Sequence, residues 1–176
     1  LRPRGRAGSG RHPYRTHACL WGRTVAGGPL DAPWTAPPAE VFSLTADPSA
    51  CPDTPAFLEI AFERGVPVAV NGITMAFADL IASLATIAGS HGVGRLDVVE
   101  NGLPGAPPRE VCEAPATVVL HQAHRELESL LLPPQLERVK HGLAAQYGAL
   151  VAEGNWYSPL REALDAFVAR TQAPLT

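Results

Sequence analysis

The sequence predicts an α+β fold, in which a small antiparallel sheet packs with about four helices. Four long segments carry apolar residues at spacings of three and four, which is typical of helices with one buried face. Shorter segments alternate apolar and polar residues or are rich in valine, which favours strands. Of the 176 residues, 46% are hydrophobic and 18% are charged, so the chain has enough apolar material for a core of its own.

The first 56 residues are predicted to be irregular. Residues 1–19 are predicted to be a disordered or divergent tail, because they hold five arginines with several glycines and prolines, and the first acidic residue is Asp31. Similar openings occur in transit peptides and nucleic-acid-binding arms. Residues 20–56 are predicted to be an extended connector, since their seven prolines remove backbone donors and fix φ. We expect Trp34 and Phe42 to anchor it by burying their rings.

Residues 57–172 are predicted to form the α+β domain, which opens with two strands. Acidic and apolar residues are interleaved over residues 57–63, as in a strand with one wet face. A second strand is expected over residues 66–70, where Pro67 favours an edge position because proline cannot donate to a neighbouring strand. The Asn-Gly pair at residues 71–72 predicts a tight turn after it.

Four helices are predicted beyond this turn, with a short strand over residues 93–99 after the first helix. Glycines end the first helix, at Gly89 and Gly92, and the third helix, at Gly154. Two prolines at residues 133–134 separate the second helix from the third, and Ser158 caps the start of the fourth. The predicted apolar faces are Phe77, Leu80, Ile81, Leu84 and Ile87; Val118, Val119, Ala123, Leu127, Leu130 and Leu131; Leu136, Val139, Leu143, Tyr147 and Leu150; and Leu160, Leu164, Phe167 and Val168.

Charge, hydropathy and cysteine content exclude several classes of protein. The net charge of −3 gives no general attraction to nucleic acid or to a membrane surface. No apolar run approaches the ~18 residues of a membrane helix, and none follows the arginines as in a secretory signal. Cys19, Cys51 and Cys112 are odd in number and widely spaced, which argues against a disulfide framework. We therefore expect free thiols, a cytoplasmic location, and no nucleic-acid or membrane partner.

Three local patterns offer binding chemistry, and each has a plainer interpretation. His121 and His124 lie three apart on a predicted helix, with Glu128 one turn on, but no further ligand has clear spacing. We expect packing roles for them and no metal site. Residues 91–95 hold an arginine that could bind a carboxylate or phosphate, but the residues taken alone favour a helix stop and turn. Glu100 ends a strand beside a glycine-containing loop, where a carboxylate could bind an ammonium group or be a solvated turn residue.

Several stretches match one known family in sequence and in order. The most specific block is Ile-Ala-Gly-Ser-His-Gly-Val-Gly-Arg-Leu-Asp-Val-Val-Glu-Asn at residues 87–101. Others are Leu-Trp-Gly-Arg-Thr at 20–24, Asp-Ala-Pro-Trp at 31–34, Arg-Glu-Val-Cys-Glu-Ala-Pro-Ala at 109–116, and Trp-Tyr-Ser-Pro-Leu-Arg-Glu-Ala-Leu at 156–164. Over residues 14–172 the chain resembles argininosuccinate synthase, in its C-terminal synthetase and multimerisation region.

The resemblance implies a ligase of arginine biosynthesis and the urea cycle that condenses citrulline with aspartate, using ATP. It places ATP and magnesium on an N-terminal doubly wound domain with a Ser-Gly-Gly-rich loop, which does not occur in this sequence. We therefore expect no cofactor on this chain and no activity from it alone. The first residue, Leu1 in place of methionine, also favours a fragment. The expected assembly is a homo-oligomer or an association with a complete synthase.

The resemblance also implies a citrulline site built from two serines, a glutamate and a tyrosine. The glutamate falls on Glu100 and the second serine on Thr24, which keep a carboxylate and a hydroxyl. The first serine falls on Arg15 and the tyrosine on Cys112, where the original chemistry is degraded. We expect citrulline binding to be weak or lost, and no catalytic residue on this chain.

Two other functions are compatible with the sequence. The degraded site residues favour a non-catalytic binding or assembly module, which would co-purify with an intact synthase. The abrupt loss of the match upstream of Leu20 favours a pseudogene product, which would not be detected in cells.

Overall fold

The computed structural model describes residues 13–99 and 109–176, which contain seven strands and four α-helices. The predicted α+β class is confirmed, with the strands arranged in two antiparallel sheets. Within these residues, no helix has the length and apolar character needed to cross a membrane.

The described residues divide into two compact units. The first takes its residues from Leu1–Pro55 and Ile81–Val118, and the second from Ala56–Leu80 and Val119–Thr176. The predicted domain boundaries, after residues 19 and 56, stay a prediction.

The first unit contains a four-stranded antiparallel sheet. Its strands are β1 (Arg15–Cys19), β2 (Gly22–Ala26), β6 (Arg95–Val99) and β7 (Arg109–Glu113), in the order β1-β2-β7-β6. One face of this sheet packs on a core of buried apolar residues, because successive side chains of a strand point to opposite faces. The core residues are Val25, Leu30, Val41 and Val111, with Tyr14 and Phe42 beside them.

Three strands of this sheet lie where the sequence predicted no strand. All residues of β1 are exposed, so they carry no apolar alternation, and the segment was predicted to be tail. The remaining tail residues, 1–12, lie outside the described residues. β2 lies in the predicted connector, and β7 was unassigned because its inward positions include the charged residues Arg109 and Glu113. The strand predicted over residues 93–99 is confirmed as β6.

The rest of the predicted connector is anchored by aliphatic side chains more than by aromatic ones. Leu30 and Val41 are almost fully buried, and Phe42 is half-buried with the Arg95 guanidinium carbon 3.8 Å from its ring centre. The prediction for Trp34 was wrong, because this side chain is 98% exposed. The connector contains three short 3₁₀ helices, Gly28–Asp31, Ala39–Val41 and Pro48–Ala50.

The second unit contains a three-stranded antiparallel sheet, in the order β3 (Ile60–Glu63), β4 (Val66–Val70) and β5 (Ile73–Thr74). The two predicted strands are present, but the edge position predicted from Pro67 was wrong, since β4 is central. The proline is tolerated because β5 pairs only with the last two residues of β4. On its other side the register of β4 with β3 shifts near Pro67.

The four predicted helices are confirmed as α1 (Phe77–Ser90), α2 (Pro115–Leu131), α3 (Pro134–Ala152) and α4 (Pro159–Gln172). The predicted cap of α4 is also present, since the Ser158 hydroxyl accepts a hydrogen bond from the backbone N–H of the third helical residue at 3.3 Å.

The predicted apolar face holds best in the middle of α1 and fails at several positions of the other helices. Leu80, Ile81 and Leu84 of α1 are at most 1% exposed. By contrast, Leu160 near the start of α4 is 55% exposed and Leu130 near the end of α2 is 81% exposed. Periodicity assigns a residue to a face, but it does not show where the neighbouring element stops.

Candidate functional site

Thr24 and Cys112 lie directly opposite each other on neighbouring strands. The register of β2 with β7 pairs them, and the register of β1 with β2 pairs Thr24 with His17. On the other side of β7, Leu96 of β6 is the partner of Cys112. Register partners share one face of an antiparallel sheet, so these four side chains form a row across all four strands.

This row lines a hollow of about 360 Å³ on the face of the sheet away from the core. Cys19, Trp21 and Thr117 also line it. The Thr117 hydroxyl donates to the backbone carbonyl of Trp21 at 3.0 Å, which ties the turn between β1 and β2 to the first turn of α2. Thr24 and Cys112 are half-buried. The hollow therefore presents a hydroxyl and sulfur atoms on an otherwise largely apolar wall, which suits a small ligand with a polar group.

The other two predicted site residues do not line this hollow in the described structure. Arg15 is exposed on β1, where it pairs with Ala26, two residues along β2 from Thr24. Glu100 lies outside the described residues. The structure thus brings Thr24 and Cys112 together and places Arg15 at a neighbouring position of the same sheet. The role of all four positions in citrulline binding stays a prediction.

Immediately beside this row, on the opposite face of the sheet, Glu113 is fully buried. Its Oε1 accepts hydrogen bonds from the backbone N–H groups of Ser43, Leu44 and Thr45 at 3.0, 2.9 and 3.0 Å. The Thr45 hydroxyl donates to the same oxygen at 2.7 Å. Oε2 accepts from Arg23 at 3.1 Å and from the Ser43 backbone at 2.9 Å. One carboxylate therefore fastens a loop of three successive N–H groups to the sheet.

These contacts decide the charge of Glu113. Burial acts to raise the pKa of its carboxyl group, but the hydrogen bonds from Ser43, Thr45, Leu44 and Arg23 outweigh burial, so the pKa lies below its ordinary value. The side chain is an anion at neutral pH, and both of its oxygens are engaged by its own chain. It is arranged to hold structure and not to exchange protons with a ligand.

Two further arginines, Arg95 and Arg109, also bond to groups of their own chain and so stabilise the fold. Arg95 donates to the Thr45 hydroxyl at 2.8 Å and to two backbone carbonyls of the same loop, so it braces the loop and the carboxylate-binding interpretation is not needed. Arg109 is 5% exposed and donates to both oxygens of Asp97 at 2.8 and 2.6 Å. It also donates to two backbone carbonyls of the connector.

His121 and His124 differ in their surroundings in the second unit. His121 is exposed, whereas Nε2 of His124 donates to the Gln172 side-chain carbonyl at 2.7 Å. Nδ1 of His124 lies 3.5 Å from Glu128, which also pairs with Lys140. Across residues 13–99 and 109–176, no three or more His, Cys, Asp or Glu side chains are grouped so as to hold a metal ion.

Sequence reasoning missed His17, Arg23 and Glu113 around this site. A signal for Glu113 exists in β7, where Arg109, Val111 and Glu113 alternate with the residues that face the hollow. Reading the inward positions from Val111 alone would have placed Glu113 inside and Cys112 outside. His17 had no such signal, because its strand is exposed throughout.

Residues 14–176 match the family described as Arginosuccinate synthase C-terminal domain. The argininosuccinate synthase of Symbiobacterium thermophilum is 47% identical over 165 residues, which are 94% of this chain and 41% of that protein. That of Rubrobacter xylanophilus is 46% identical over 164 residues, 93% of this chain and 40% of that protein. That of Chlorobium chlorochromatii is 44% identical over 166 residues, which are 94% of this chain and 42% of that protein. The chain spans about two fifths of the length of these relatives.

Proposed function

This chain belongs to the argininosuccinate synthase family, and we propose that it supplies the citrulline-holding, C-terminal part of a ligase that makes argininosuccinate. Its match to proteins of that name over residues 14–176 supports the reaction class. Its span of about two fifths of their length supports a partial role. On this proposal another part of the enzyme binds ATP, and the chain is inactive alone.

In the proposed reaction the ureido oxygen of citrulline attacks the α-phosphorus of ATP, and pyrophosphate leaves. The amine of aspartate then attacks the activated ureido carbon, so that a C–N bond forms, a C–O bond breaks and AMP leaves. Magnesium bound with ATP would offset the phosphate charge. The task of this chain is to hold citrulline, because alignment of three ligands supplies much of the rate.

The observation that carries the proposal is the half-buried Thr24 hydroxyl at the hollow, in register with Cys112. A hydroxyl both donates and accepts hydrogen bonds, which suits the polar groups of an amino acid. We assign the ammonium group of citrulline to Glu100. Arg15 and Cys112 offer no hydroxyl, so citrulline binding is expected to be weak.

A reconstitution assay tests this function. Argininosuccinate and AMP would be measured from citrulline, aspartate and ATP, with the chain alone and with the ATP-binding part of the Symbiobacterium thermophilum relative. We expect product only from the mixture. Thr24→Val keeps the volume of the side chain and should raise the KM for citrulline about tenfold, the equivalent of one hydrogen bond.

The matched control for this variant is Thr16→Val, which changes an exposed hydroxyl on β1. It should leave the KM for citrulline unchanged. A mixture that makes no product, while the intact relative does, would refute the ligase function.

The degraded chemistry at Arg15 and Cys112 favours a second function, a non-catalytic assembly module. In this case the chain would associate in the cytoplasm with a second copy or with a complete synthase. Light scattering after size-exclusion chromatography would detect a mixed oligomer with the intact Symbiobacterium thermophilum enzyme. Separate elution of the two proteins would count against the module.

A further inference from the structure

The buried face of the four-stranded sheet carries an anchoring contact directly behind Thr24 and Cys112. Arg23 and Glu113 are register partners on β2 and β7, one residue along each strand from the Thr24–Cys112 pair. Alternation turns Arg23 and Glu113 toward the core side and the other pair toward the hollow. Any shift between the two strands at this position therefore moves both pairs together.

Three pieces of chain meet at this contact. Arg23 reaches Glu113 at 3.1 Å, and the same guanidinium nitrogen donates to the Val41 carbonyl at 2.7 Å and to the Ser43 hydroxyl at 2.8 Å. The strands also approach closely here, since a Cβ at Gly22 would lie 2.2 Å from the Glu113 carbonyl oxygen. The loop of residues 41–45 thus locks β2 and β7 at the position that supports the hollow.

We propose that Glu113 is a positioning residue for the citrulline site, holding β2 and β7 so that the Thr24 hydroxyl faces the hollow. The identity of the ligand, citrulline, rests on the proposed function. The positioning role itself rests on the contacts around Glu113.

A carboxylate is required at this position because both oxygens meet donors only, namely N–H groups, hydroxyls and a guanidinium. A glutamine would turn its NH₂ group toward some of those donors, and an amide nitrogen does not accept. Asp97→Asn is the matched control, since it also removes one negative charge from a carboxylate–arginine pair on the same sheet.

The first test compares kinetics in the reconstituted enzyme. Glu113→Gln should raise the KM for citrulline about tenfold, as one charge-assisted hydrogen bond would, and leave the KM for ATP unchanged. Asp97→Asn should leave both values unchanged. A purely structural role would lower the amount of active enzyme and not the KM for one substrate.

The second test needs only this chain and reads the wall of the hollow through the Cys112 thiol. Alkylation by iodoacetamide would be followed by mass spectrometry, which separates Cys112 from Cys19 and Cys51. The rate constant is measured at a pH at which the Cys112 thiol is fully ionised. It then reports access to the sulfur atom and not the effect of the lost Glu113 charge on that ionisation. Glu113→Gln should change it several-fold, and Asp97→Asn should not.

The two tests separate the failure of this inference from the failure of the proposed function. A selective change in the KM for citrulline together with a changed thiolate rate supports the inference. If neither quantity differs between Glu113→Gln and Asp97→Asn, Glu113 does not position the site. If the wild-type mixture makes no product, the ligase function fails and the thiolate rate alone decides the positioning role. Should Glu113→Gln not fold, Thr45→Val removes one donor from the carboxylate and replaces it in both tests.

Discussion

Replacing Glu113 with glutamine should destabilise the first unit by about 2–4 kcal/mol at neutral pH. The change preserves the size of the side chain and removes one acceptor oxygen and the charge. Because the side chain is 1% exposed, water cannot substitute for the lost acceptor. The experiment therefore isolates the hydrogen-bonding role of the carboxylate.

The size of the effect follows from the two oxygens of the carboxylate. If the amide oxygen takes the place of Oε1, the NH₂ group meets two donors, Arg23 at 3.1 Å and the Ser43 backbone at 2.9 Å, although the Ser43 N–H keeps its bond to Oε1 at 3.0 Å. Loss of the acceptor of a buried donor costs about 1–3 kcal/mol, and the donor–donor contact with Ser43 adds to this cost. Arg23 limits the loss, since its side chain is 21% exposed and keeps its bond to the Val41 carbonyl. The expected loss of about 2–4 kcal/mol therefore lies below the largest free-energy losses found when one partner of a buried ion pair is removed.

The loss should also depend on pH in one direction. The folded-state pKa of Glu113 is lowered from its ordinary value of 4.5, so the stability it contributes is fully present above that value. This contribution is lost as pH falls through the lowered, folded-state pKa. The difference in stability between wild type and Glu113→Gln should be constant at neutral pH and shrink on acidification below about pH 4.5.

Hydrogen exchange at the amides of β2 and β7 is the appropriate assay, because a chain with two compact units need not unfold in one transition. Glu110→Gln is the control, since Glu110 lies on the same strand with its side chain on the other face. It should change stability by at most about 0.5 kcal/mol. A loss below about 1 kcal/mol for Glu113→Gln, or a loss equal to the control, would refute the role assigned to the carboxylate.

Two further contacts, at Arg109 and at Gly89, give predictions that are each compared with a milder substitution. Arg109→Met should cost the first unit about 2–3 kcal/mol by hydrogen exchange, because it leaves two backbone carbonyls and the Asp97 carboxylate without their donor. Asp97→Asn, at a 43% exposed side chain, should cost under about 1 kcal/mol. Equal losses would show that burial does not set the effect. Gly89→Ala should destabilise, since its Cβ would lie 2.1 Å from the Leu44 carbonyl oxygen, whereas Gly148→Ala meets nothing within 4 Å and should stabilise by roughly 0.5–1 kcal/mol. Hydrogen exchange at the amides of α1 and α3 measures the two effects separately, and a gain in stability from Gly89→Ala would contradict the close approach.

The helices could be predicted from the sequence because their stabilising interactions are local or periodic. In α4, a serine cap, a proline in the first turn and apolar residues at helical spacing all agree. The same agreement holds for α1, where Leu80, Ile81 and Leu84 occupy one buried stripe. What periodicity could not show is the reach of the neighbouring element, which leaves Leu130 and Leu160 exposed.

The strands around the hollow could not be predicted because their stabilising contacts are distant in sequence and polar. Glu113 bonds to residues 68 to 70 positions earlier in the chain. β7 buries Arg109 and Glu113, which reverses the usual rule that charged side chains mark the wet face. The edge strand β1 pairs only with β2 and exposes every residue, so only backbone pairing defines it.

At the candidate site, the family resemblance assigns the residues, whereas only the structure shows how they lie together. Family resemblance assigned Thr24 and Cys112 to one ligand, but 87 intervening residues separate them in the chain. Their approach depends on the β2–β7 register, and that register is secured on the other face by Arg23 and Glu113. A substitution that weakens the Arg23–Glu113 pair would therefore displace Thr24 from Cys112, although it changes no residue facing the hollow. The inward-facing charged residues Arg23 and Glu113 thus fix where the outward-facing residues Thr24 and Cys112 lie.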